Sequence, residues 1–195
     1  LNELHSTLNE ELLLEANMRG FEARLESTPA HPPTSAGTFH WHDYVAALRT
    51  ELALNGWQIK NHKNCPFVIS PDQNIMVLVM TGDRDTGIET GNPTNQADKG
   101  QVLSEAIQSE LFEMQSGDSG TQLWILLYHV ERAPDGSPKE IRTEFSRPAR
   151  FDRKKIVEWS ERIILRTIET DEAPEIESNE STKPIDVPVE RRQSE

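Results

Sequence analysis

Cysteine is almost missing from the 195 residues. Cys65 stands alone, so no intramolecular disulfide can form, and a reducing compartment is the expectation. Positive charge is scarce too: 20 Lys and Arg face 33 Asp and Glu, a net charge of −13. Phosphate contacts supply most non-specific affinity for nucleic acid and need a basic surface, so broad nucleic-acid binding is disfavoured. No run approaches the roughly 18 apolar residues of a membrane span. The N-terminus lacks the basic-then-apolar order of a signal peptide, and a cytoplasmic protein without membrane contact is expected. The chain opens at Leu1 rather than Met, which points to an alternative start codon or to residues upstream. Its length suits one domain of common size with tails.

The chain divides by composition. Residues 1–27 carry two apolar stripes at helical spacing, Leu1, Leu4 and Leu8, then Leu14, Met18, Phe21 and Leu25. The stripes are out of register for a long coiled coil, leaving a helix laid on its own domain or an arm for self-association into a homodimer. Residues 28–38 hold three prolines among small polar residues and read as a linker. A domain is expected over 39–168, and from Glu169 to Glu195 an acidic tail without apolar period is expected to be disordered.

Within the domain, Trp41, Tyr44, Val45, Leu48 and Leu52 predict a helix over Phe39–Leu54, ended by Asn55-Gly56. Trp57–Lys60 alternates as a half-buried strand does. Phe67–Met80 reads as a hairpin turning at Ser70–Asn74, its second limb apolar throughout and so buried on both faces. Val102–Met114 carries the apolar face of a helix capped by Asp98, and Gln122–Val130 is a second fully buried strand. Ile141, Thr143 and Phe145 alternate with charged residues as an edge strand would. A final helix is expected from Asp152 to about Ile168, with Phe151 and Ile156 as its hydrophobic staple. The fold class is therefore α+β, a mainly antiparallel sheet in the order α-βββ-α-ββ-α covered by helices, with an extra N-terminal helix.

Two stretches are candidate sites. The polar loop from Thr81 to Gly100 is of a length that in compact domains accompanies function or disorder, and its candidates are Asp83, Arg84, Asp85, Gly87, Glu89 and Gly91. Its glycines would let a ligand approach the backbone, but it lacks the Gly-Lys-Ser/Thr ending of a phosphate loop. Asp83, Asp85 and Glu89 offer oxygens to a hard cation, but without the spacing of a calcium loop. The second stretch is basic: Arg147, Arg150, Arg153, Lys154 and Lys155, with Arg142 nearby. Placed in the first turn of a helix, the last three would oppose the helix dipole, which suggests an acidic partner or, as an alternative, nucleic acid. His40, His42, His62 and Cys65 are zinc-type ligands without a zinc-type spacing. No catalytic residue, metal or cofactor is assigned.

From Phe39 to Ile168 the element order, with Phe145-Ser146-Arg147-Pro148 leading to the helix at Asp152, resembles the class I type III secretion chaperones, which are small, acidic, cytosolic and dimeric. The resemblance implies a protein partner and no catalysis. The order helix, three strands, helix, strand is also similar to the core of restriction-endonuclease-like nucleases. Their acidic residue and Glu-x-Lys are missing here, since Asp72 lies in a turn and Asn74–Met80 holds neither Glu nor Lys. The expectation is an acidic protein-binding module or chaperone-like adaptor without catalytic activity. The alternatives are a nucleic-acid-associated protein of a mobile element or defence system using the Arg147–Lys155 patch, and a metal- or nucleotide-dependent enzyme using the Asp83–Glu89 loop.

Overall fold

A computed structural model describes residues 1–62, 65–97 and 120–170. Two helices, α1 (Glu10–Leu25) and α2 (Ser35–Leu54), form an antiparallel pair. The strands follow: β1 (Gln58–His62), β2 (Cys65–Ile69), β3 (Ile75–Thr81), β4 (Gln122–Arg132), β5 (Pro138–Asp152), β6 (Lys155–Ile164) and β7 (Ile168–Glu169). The first six lie side by side in chain order, and β7 pairs with β5 beyond the end of β6. The class is α+β, and every pairing among the described strands is antiparallel except that of β3 with β4. A parallel neighbour needs a crossover of a dozen or more residues, and the chain between Thr81 and Gln122 is long enough to make one. The helix expected over Val102–Met114 lies outside the described residues, as does the tail from 171 onward.

Alternation along β3 and β4 builds two cores. Ile75, Val77, Val79, Trp124, Leu126 and Tyr128 face the helices, while Leu78, Met80, Leu123, Ile125 and Leu127 are buried on the opposite face, with Phe67 and Ile156. Both apolar runs are thus covered on two sides, as their composition requires. On the helix side, α1 and α2 approach closely at Gly20. A Cβ there would stand 2.6 Å from the His40 carbonyl oxygen and 2.9 Å from Tyr44 Cβ, so any larger residue would push the helices apart.

α1 begins at Glu10 because Asn9 caps it, accepting the Leu12 N–H at 2.9 Å. The expected helical start at Leu1 is replaced by turns, in which Leu8 is fully buried and Thr7 Oγ1 accepts the Trp57 indole N–H at 2.8 Å. Leu13, Leu14, Ala16 and Phe21 are buried within the chain's own core, so the helix is laid on its own domain. α2 starts at Ser35, four residues before Phe39, with Thr34 as its N-cap after Pro32-Pro33.

The final helix does not form. Asp152–Ile168 instead makes the end of β5, β6 and β7, joined by a turn in which Arg153 (φ 44°) and Lys154 (φ 72°) both take left-handed backbone. That geometry matches the twist of a two-residue hairpin. Phe151 and Ile156, spaced as a staple, are cross-strand partners around this turn, and the five-residue offset fits both arrangements. β5 is correspondingly no edge. It runs for 15 residues with β4 on one side and β6 and β7 on the other, and Pro148 sits at a register shift, where a missing N–H is tolerated.

Candidate functional site

The long loop folds back on itself. Gly82 bridges Asn95, the Asp83 N–H donates to the Thr94 carbonyl at 3.1 Å, and the Gln96 N–H donates to the Thr81 carbonyl at 2.8 Å. It is fastened by Glu144, a fully buried carboxylate on β5. Glu144 accepts from the Gly87 N–H (2.9 Å), from Ser146 Oγ (2.8 Å) and from Arg162 through Nε (3.1 Å) and Nη2 (2.6 Å). Arg162 in turn donates to the carbonyls of Gly91 (2.7 Å) and Ile88 (3.0 Å). At the other end the buried Asn95 accepts the Ile156 N–H at 2.8 Å and donates to the Lys154 carbonyl at 3.0 Å. Lys155 Nζ donates to the Asn95 and Gln96 carbonyls at 2.8 and 2.7 Å.

Of the loop candidates, Gly87 lies with φ +71°, and an added Cβ would come 2.9 Å from Arg142 Cβ. The close approach that its glycine permits is to the protein's own β5. Asp83 uses Oδ1 to accept the Asp85 N–H at 3.1 Å. Among the described residues no group of three or more His, Cys, Asp or Glu side chains is placed to hold a metal ion. His40 is buried in the core, whereas His62 is exposed on β1.

The basic candidates do not share a helix turn, since no helix forms there. Arg147 lies opposite Glu161 and Arg150 opposite Glu158 on the neighbouring strand. Arg150 Nε stands 3.2 Å from Glu158, and both side chains are about 60% exposed (63% and 62%). Lys155 serves the loop, leaving Arg153 and Lys154 at the hairpin tip. The patch is a strand surface with acid opposite base.

A different set of residues converges at the carboxyl ends of the parallel strands β3 and β4, the place in a sheet where ligands commonly bind. There a cleft of about 560 Å³ opens between the N-terminal half of α2, the end of α1, and the loop at Gln96 and Ala97, a volume within the range of small-molecule sites. Met80, Thr81, Tyr128 and His129 contribute from the strands, and Thr34, Thr38 and Trp41 from one face of α2. No described lining residue is acidic, although Asp and Glu outnumber Lys and Arg 33 to 20 in the chain.

Arg24 lines the same cleft from the last turn of α1. Burial lowers its pKa, and the nearby Arg132 lowers it further. Among the described residues no carboxylate pairs with it. Glu131 is engaged by Arg142 (2.6 Å) and His129 (3.4 Å). Beneath Arg24 lies a stack of buried rings: His40 and Tyr128 have centroids 4.4 Å apart, and Tyr44 is 5.4 Å from Tyr128. Burial pushes Tyr128 up to about 12 and Tyr44 well above its ordinary value, and burial with the Arg24 charge pulls His40 down to about 3. The Arg24 guanidinium therefore sits over neutral groups.

No protein-family model matches the chain, and comparison with curated proteins and with solved structures finds no match. The site is read from its own geometry.

The first turn of α2 completes that geometry. Thr34 is its N-cap without a side-chain cap bond, and no acidic residue occupies the first turn. Gly37 faces open space, with nothing within 4 Å of where a Cβ would stand. Sequence reasoning missed this cleft because its lining comes from five separate stretches, none of them a motif. One signal was present: two fully apolar strands separated by some 40 residues (Thr81 to Gln122) with a helical pattern between them read as a crossover. A parallel pair so inferred would have directed attention to Thr81 and His129.

Proposed function

We propose that the protein is a non-catalytic binding module that takes an anionic ligand into the cleft at the ends of β3 and β4. Arg24 carries the reading. A half-buried guanidinium with no carboxylate paired to it among the described residues, near a second arginine and beside a helix N-terminus, is a costly arrangement that an anion would relieve. The lining supports binding over catalysis, because the Thr81 hydroxyl donates to the Tyr128 hydroxyl at 3.2 Å and not to a histidine that could activate it. A partner protein could present such an anion, in keeping with an adaptor role. The nucleic-acid alternative draws less support, since Glu158 and Glu161 oppose the arginines it would use.

Thermal denaturation with phosphate, sulfate, citrate and chloride tests the reading, because a ligand of the native state raises the melting temperature. A multivalent anion should stabilise the wild type beyond the ionic-strength effect of chloride, and Arg24→Gln should abolish that gain. Equal stabilisation of both proteins would place the anion elsewhere.

A further inference from the structure

A second surface lies where α1 meets the end of β6 and β7, and it shares no lining residue with the cleft. Two depressions of about 410 and 140 Å³ follow one another there. Glu10 of the first accepts the Arg166 N–H of the second, so the two are neighbours in one groove. Ile163, Ile164 and Leu165 give the first an apolar wall, and Leu14, Met18 and Ile168 give the second one. Ile164 is 39% exposed, so apolar surface is presented to water along this groove.

The rim is acidic. Glu3 and Glu10 border the first depression and Glu11 and Glu15 the second, against one basic side chain, Arg166. Glu3, Glu11 and Glu15 are exposed, and among the described residues none of them forms an ion pair. Glu11 and Glu15 stand one turn apart on the same face of α1, where like charges repel. A cation between them would relieve that repulsion.

We propose that this groove docks a cationic amphipathic helix of a partner protein, its apolar face on Met18 and Ile164 and its Lys or Arg residues against Glu3, Glu11 and Glu15. A helix laid into an apolar groove is a recurring mode of peptide recognition, and opposite charge at the rim selects the partner. A second copy of the chain would bring the same acidic rim to the contact. The segment 171–195 of the chain itself holds eight acidic residues against three basic. Like charge disfavours both as occupants.

Fluorescence anisotropy of the full chain with a labelled peptide of Leu and Lys in helical periodicity tests the assignment, a scrambled peptide of the same composition being the control. The periodic peptide is expected to bind at least about tenfold tighter, because only it can lay its leucines on one apolar wall. Ile164→Ser should bring the two peptides within about threefold of one another. Glu11→Gln with Glu15→Gln should weaken the periodic peptide by about threefold to tenfold. Asp43→Asn with Glu89→Gln, an equal change of charge at exposed positions elsewhere, should leave it unchanged. If Ile164→Ser does not fold, the comparison of the two charge pairs decides alone. Equal binding of both peptides, or equal weakening by both charge pairs, would reduce the effect to net charge and overturn the groove. A wild-type dimer that dissociates in Ile164→Ser would give the groove to a second copy and overturn the peptide assignment.

Discussion

Lowering the pH should destabilise the protein through His40. The ring is fully buried between the two helices and the sheet, with Nε2 2.7 Å from Asn17 Oδ1 and the Asn17 amide donating onward to Thr143 Oγ1 at 2.8 Å. Around it are Phe21 from α1, Tyr44 from its own helix and Tyr128 from β4, and the charge acting on it is that of Arg24. Burial first, and then that charge, hold its pKa at about 3 against an ordinary 6.5. The unfolded chain therefore binds the proton first, so stability is complete above about pH 6.5, falls as the pH drops, and levels off below about pH 3. At about 1.4 kcal/mol per unit, the loss between pH 7 and pH 5 is about 2 kcal/mol, a large share of the 5–15 kcal/mol typical of a domain. Urea denaturation of wild type and His40→Gln at pH 7, 6 and 5 isolates this group. The variant should be weaker at pH 7 by about 1–3 kcal/mol for its disturbed hydrogen bond, and the gap should shrink by about 2 kcal/mol at pH 5. A gap constant to within about 0.5 kcal/mol would refute a neutral, buried His40.

Three further outcomes test the fastened loop and the hairpin. Glu144→Ala leaves Arg162 without its carboxylate and the Gly87 amide without an acceptor, and should cost about 3–5 kcal/mol in chemical denaturation, with faster hydrogen exchange at Gly87. Gly87→Ala should cost more than about 1 kcal/mol, because a Cβ must adopt φ +71° and displace Arg142, its Cβ 2.9 Å away; an unchanged melting temperature would contradict the close approach. Replacing Arg153 and Lys154 by Asn and Gly should stabilise by roughly 1 kcal/mol, since left-handed backbone suits Asn-Gly better, and a loss would mean that the turn is not of this type.

Legibility in the sequence followed the range of the interactions. Ile75–Met80 and Gln122–Val130 could be placed as doubly buried strands because an apolar run bounded by turn residues reports its own burial. The helix expected over Phe39–Leu54 was legible for the same local reason, and α2 extends it back to Ser35. Residues 152–168 were misread because Ile156, Trp159 and Ile163 satisfy a helical spacing, and only the pairing with β5 decides for a strand. Arg142 and Glu144 sit where an edge strand would show charge to water. They are buried because the loop from Thr81 to Ala97 lies over them, fastened through Arg162 from 18 residues beyond Glu144, a contact no short window contains. The cleft was the least legible feature: Arg24 and Trp41 read as ordinary helix residues and Gly37 as part of a linker until β3 and β4 are known to run parallel.

The central claim is where the anion sits. A ¹H–¹⁵N correlation spectrum recorded during titration with phosphate measures this directly. Binding in the cleft should shift the amide of Gly37 and the Arg24 side-chain Nε–H. Shifts confined to Arg153 and Lys154 at the hairpin tip, or the absence of any saturable shift, would contradict the account.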